Sequence, residues 1–187
     1  MKIWFVSVLL FLAPAPVQNP RITITFTPER DQFAEAAAEY RNVWASEGDR
    51  MIAALETASG LKFREKEFNA VIYERASQSG RGNSPIGLRA SYSPDVKKGT
   101  LVHELGHRLN AQLQKRPKDL DEHRILFLYL YEVWQNLYGT DFANREVQFE
   151  KGLKGLYDYE SAWNWALSLS REERAARFQE IRKANKK

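Results

Sequence analysis

At 187 residues the chain accommodates one domain with a real core and is too short for two full ones. Hydrophobic residues at 43%, aromatic at 12% and charged at 28% describe a packed globular chain and exclude a disordered or fibrous one. The net charge of +4 comes from lysines and arginines that are scattered except in the tail RKANKK, so basicity alone does not point to nucleic acid, and the absence of cysteine excludes disulfides, thiolate metal sites and a thiol nucleophile.

Residues 1–18 open with one lysine, run through apolar residues from Ile3 to Leu12 and reach an Ala-x-Ala at Ala13 and Ala15. That is the layout of a secretory signal or an N-terminal anchor, and the apolar run is too short for an ordinary membrane span. An exported protein is expected, periplasmic or extracellular; a cytoplasmic one is the alternative, because Pro16 stands where cleavage would fall. Residues 19–187 then form the single domain, with no other segment able to span a membrane.

Arg21 to Thr27 alternates β-branched and polar residues and reads as a first strand. Thr27 and Pro28 offer an N-cap and a first helical proline, so a long helix, interrupted near Gly48 or continuous, is expected from Glu29 to Gly60. FNAVIYER reads as a strand, SQSGRGNS as a flexible loop and PIGLRASYS as a short edge strand. Ser93 and Pro94 open the next helix. RILFLYLYEVWQNLYG reads as a helix buried on nearly all sides, closed by Gly139. From about residue 140 three more helices follow, the last opened by a Ser170/Glu173 capping box. The order predicts an α+β domain, with helices packed on one face of a small mixed sheet.

The helix opened by Ser93 and Pro94 carries HELGH at residues 103–107. Four residues apart on a helix, His103 and His107 share a face, so both imidazoles can reach one ion at roughly 2.0–2.1 Å. Glu104 lies around the helix from them, placed to address a water on that ion without ligating it. Leu101, Leu105, Leu109 and Leu113 form the opposite, core-facing stripe. Gly106 costs helix stability, so it signals the close passage of another backbone, such as a strand lining the site. Shuffled chains of this composition produce the pattern in only about three cases per thousand, so metal binding outweighs two incidental histidines. The expected ion is one Zn2+ per chain.

A catalytic zinc site takes three protein ligands and keeps one position open. The chain has only one further histidine, His123, across a turn at Pro117 and able to fold back on the pair. Glu122 is the alternative third ligand. A capping box of Asp119 with Glu122 would give Glu122 a structural task instead, and Asp121 also fits an N-cap.

HELGH resembles the active-site helix of the zincin metallopeptidases, of minimal gluzincin or SprT-like type. In the SprT-like branch a third histidine after a short turn is followed four residues on by phenylalanine, as Phe127 follows His123. The chain departs from metzincins, since Asn110 and Leu113 stand where HExxHxxGxxH requires Gly and His, and without cysteine it has no zinc ribbon. The resemblance implies a zincin-like domain that hydrolyses peptide bonds, with His103, His107 and His123 on zinc and Glu104 as general base. It also implies a protein or peptide substrate bound as an added strand along Gly87, Leu88, Arg89 and Ala90. A residue stabilising the oxyanion is expected too, and the sequence does not choose among Tyr129, Tyr131, Tyr157 and Tyr159. Two other functions compete: a nucleic-acid-associated SprT-like protease, for which the composition gives little support, and a non-catalytic zinc-binding interaction protein, which has no use for Glu104.

Overall fold

The computed structural model describes residues 21–80, 82–155 and 157–186. The expected leader, residues 1–18, lies outside the described residues. Strands β1 (Thr23–Pro28), β2 (Glu67–Tyr73) and β3 (Ile86–Arg89) form a sheet in chain order. A mixed sheet was the expectation; these three strands are all parallel, and the antiparallel element is reduced to one bridge between Gln78 and Gly87. Parallel neighbours need long crossovers, which α1 (Ala34–Ser59) and the 74–85 connection supply.

Ile22, Ile24 and Phe26 are buried while Thr23, Thr25 and Thr27 are exposed, so only one sheet face is covered by helices. The domain is α+β. α1 begins later than its sequence signal. Pro28 stays in register with Ile72, Glu29 donates to the Ile72 carbonyl, and a 3-10 turn over Asp31–Phe33 intervenes. Strand pairing thus overrides the Thr-Pro helix start. At Gly48 the helix continues unbroken, because Trp44, Met51, Ile52 and Leu55 keep one continuous buried stripe. It ends at Gly60, whose φ of 65° is the left-handed closure that glycine allows.

α2 (Pro94–Asn110) starts as its sequence predicts, with the Ser93 hydroxyl accepting from the Val96 amide and proline at the first position. α3 (Glu122–Tyr138) is the central helix, packed by α1, α2, α4 (Thr140–Gly152), α5 (Tyr159–Ser168) and α6 (Arg171–Ala184). Its unbroken buried run from Ile125 to Leu130 explains why no polar face is visible in its sequence. The Ser170/Glu173 capping box is formed in both directions. Among the described residues no helix is long and apolar enough to cross a membrane.

The glycine inside HELGH has a different cause from the one its sequence suggested. No strand passes it. A Cβ at Gly106 would lie 2.5 Å from Leu126 Cδ1 of α3, so glycine lets α2 and α3 approach closely. Leu126 is fully buried and has little room to yield. Gly106→Ala is expected to lose about 1–2 kcal/mol, overpacking outweighing the ~1 kcal/mol of gained helix propensity. Denaturant titration against wild type measures it; an unchanged or raised midpoint would mean that the contact relaxes freely.

Candidate metal centre

α2 carries His103 and His107 on one face, and the first turn of α3 brings His123 against them. The Nε2 atoms of His103 and His107 are 3.0 Å apart, and one nitrogen from each of the three rings lies within 4.8 Å of the others. Tetrahedral zinc with bonds of 2.0–2.1 Å requires ligand nitrogens about 3.3 Å apart, so small side-chain adjustments suffice. The donor set suits zinc, and the residues fit the ion that their sequence implied. Glu122 stands outside this group; its carboxylate accepts from Arg116 at 2.6 Å. The expected Asp119/Glu122 capping box does not form. Asp121 is the N-cap, accepting from the Arg124 amide at 2.9 Å, and Asp119 pairs instead with Arg177.

Behind the three histidines stands a carboxylate that the sequence does not reveal as their partner. Glu150 of α4 accepts from His103 Nδ1 at 2.7 Å through one oxygen and from Trp163 Nε1 at 2.7 Å through the other. The Nδ1 proton is thereby held, which leaves the Nε2 lone pair turned toward the other histidines. A signal for it was present: Glu146 and Glu150 share the buried face of α4 with Phe142, Ala143 and Val147, where acids are out of place.

Burial opposes charge on His103, but the Glu150 carboxylate outweighs it and lifts the pKa to about 8, so without a metal the ring holds a second proton at Nε2 near neutral pH that an ion would displace. Burial and the neighbouring His103 push His107 well below its ordinary value and His123 down to about 3. Both rings are thus held neutral, the state in which imidazole ligates. Glu104 is raised to about 7 by burial, with His103 opposing and Glu150 assisting. Its carboxylate has no hydrogen-bond partner among the described residues and faces a cavity of about 340 Å3 that His103 and Tyr159 also line.

Of the four tyrosines, the structure sorts the roles. Tyr129 bonds Asn110 inside the core, Tyr131 bonds Asn144 at the surface, and Tyr157 donates to Asp121 at 2.8 Å. Tyr157 also stacks on the His123 ring at 4.0 Å, fixing the plane of an imidazole that has no hydrogen-bond partner among the described residues. Tyr159 alone combines a place in the cavity with a hydroxyl that has no partner among the described residues.

The β3 edge is not open as expected. Gly87 exchanges both backbone bonds with Gln78, and the Arg89 amide donates to Ser77 Oγ, while the Ala90 amide faces the other way and donates to the Tyr73 carbonyl of β2. A substrate strand along Gly87, Leu88, Arg89 and Ala90 would have to displace the 77–78 segment. The loop read as flexible is tied back here, and Arg108, directly after HELGH, donates to the Gly82 and Ser84 carbonyls at 2.8 and 3.0 Å.

Glu146 marks a stability cost next to the site. Burial, with Glu150 and Asp95 adding, raises its pKa from 4.5 to about 8. Below pH 4.5 both folded and unfolded chains hold this proton, so it does not affect stability. As pH rises toward 8 only the unfolded chain releases it freely, and the folded state loses ground. Glu146→Gln is expected to gain about 2 kcal/mol at pH 8 and nothing near pH 4. Thermal melts of both proteins across that range check it; a gain independent of pH would refute the assignment.

No protein-family model, curated protein or solved structure matches the chain. The functional reading therefore rests on the site itself.

Proposed function

We propose that the protein is a zincin-like, zinc-dependent peptidase. One observation carries the reading. Three histidines lie close together beside Glu104, a buried carboxylate with no hydrogen-bond partner among the described residues. A purely structural zinc site would use four protein ligands and leave no such carboxylate next to a cavity.

His103, His107 and His123 would hold the zinc, which when bound polarises a carbonyl and makes water acidic near neutral pH. Glu104 takes the proton from the attacking water and hands it to the departing amine. A carboxyl raised to about 7 suits that task at neutral pH, since it accepts and returns a proton with little bias. Glu150 keeps His103 in the ligating tautomer. The Tyr159 hydroxyl donates to the oxygen on which charge develops.

Zinc analysis by elemental mass spectrometry, paired with hydrolysis of an unstructured protein substrate, tests the proposal. One zinc per chain is expected, with activity lost on chelation and restored by one equivalent of metal. A chain that takes up no zinc from a metal-replete buffer would reduce the histidines to a polar cluster and end the peptidase reading.

A further inference from the structure

The two sides of the metal centre differ in a way that bears on the substrate. On the His107 side the cleft is wide, about 720 Å3, and is walled by Gln78, Ser79, Gly80, Ser84, Arg116 and Glu122 among others, with His107 the only aromatic residue among the described ones. On the Glu104 side the cavity is about 340 Å3 and gathers the aromatic rings of Tyr92, His103, Phe149, Tyr157 and Tyr159, with Arg89, Glu150 and Lys154 also on its wall. Tyr92 and Phe149 meet edge to face at 5.3 Å on one side, and Tyr157 and Tyr159 meet at 5.0 Å on the other. Its volume lies at the lower limit for ligand pockets, enough for one large side chain rather than a folded segment. Thr100, one turn before Glu104 on α2, also borders it, so the space runs along the helix away from the histidines.

Resting on the peptidase reading, we infer that this cavity is the specificity pocket and that it selects a large aromatic side chain next to the scissile bond. A ring entering it meets other rings edge-on and face-on, the arrangements that aromatic pairs favour. Glu104 and His103 share its wall, so whatever fills it sets the position of the adjacent peptide bond against the base. The polar cleft on the other side imposes no comparable choice. Selection is one-sided: aromatic on the Glu104 side, tolerant on the His107 side.

The test separates binding from turnover. Acetohydroxamate, 4-methylpentanohydroxamate and 3-phenylpropanohydroxamate share one zinc-binding head and differ only in their arm. Their affinities for the zinc-loaded full chain are measured by calorimetry. The phenyl arm is expected to bind about ten- to a hundredfold tighter than acetohydroxamate, with the branched aliphatic arm between them. Phe149→Ala and Tyr92→Ala, both at half-buried positions, should each remove most of that preference while zinc content stays at one per chain. Equal affinity for the three arms, a preference that survives both substitutions, or no binding of any hydroxamate to the zinc-loaded protein would overturn the inference. Failure of the peptidase reading looks different: the hydroxamates discriminate as expected, but no peptide is cut.

Discussion

Glu104→Gln should keep one zinc per chain and lose peptide hydrolysis by about 10²- to 10⁴-fold, the usual contribution of a positioned general base. That loss corresponds to roughly 3–5 kcal/mol of transition-state stabilisation. The amide matches the carboxylate in size but cannot accept the water's proton. Stability should not fall with activity. Because burial raises the Glu104 pKa to about 7, its ionised form penalises the fold progressively as pH rises above the ordinary 4.5. Removing the charge relieves that penalty, so the melting temperature of the zinc-free variant at pH 7.5 should equal or exceed that of zinc-free wild type. Turnover and zinc content, with thermal melts of the same preparation stripped of zinc, decide the matter. Retained turnover would exclude Glu104 as the base, and lost zinc would make it a ligand instead.

His123→Ala should weaken zinc binding by well over a hundredfold, beyond the ten- to hundredfold cost of disturbing a residue that only orients a ligand. Glu150→Gln, which weakens the support of His103, should fall within that smaller range. Glu122→Ala should leave affinity unchanged, since its carboxylate is engaged with Arg116 at 2.6 Å and stands outside the three-histidine group. Competition with a chromophoric chelator ranks the three variants. A ranking with Glu122→Ala at the bottom would move the third ligand by one residue and require the start of α3 to turn. Zinc should also raise the melting temperature of wild type more than that of His123→Ala, because a ligand stabilises the fold in proportion to its affinity.

The candidate ligands were legible because helical spacing is a local property. His103 and His107 needed only a helix, and Ser93, Pro94 and the leucine stripe announced one. His123 was legible by elimination, as the last histidine in the chain. Glu150 was marked as unusual by its place on the apolar face of α4, but its pairing with His103 was not legible, since that partner lies 47 residues away and nothing local couples α4 to α2. The same limit hid the closed β3 edge. Gln78 sits in a run of serine and glycine that reads as loose, and only the return of the chain to Gly87 gives it a place. The start of α1 failed for a related reason: Thr27 and Pro28 carry a good helix signal, but pairing with β2 claims them first. The direction of the sheet was likewise set by a 12-residue connection whose path no propensity encodes.

The three ring nitrogens come from residues spanning twenty positions, whereas the carboxylate that orients His103 arrives from α4. In folding, closing the shorter loop costs less chain entropy, so the metal-binding cluster belongs to the early, local part of assembly. Its refinement waits for the docking of α4. On the peptidase reading, a growing chain would bring its three histidines together before α4 supplies the carboxylate that orients one of them, so capture of an ion and its tuning would be separate steps.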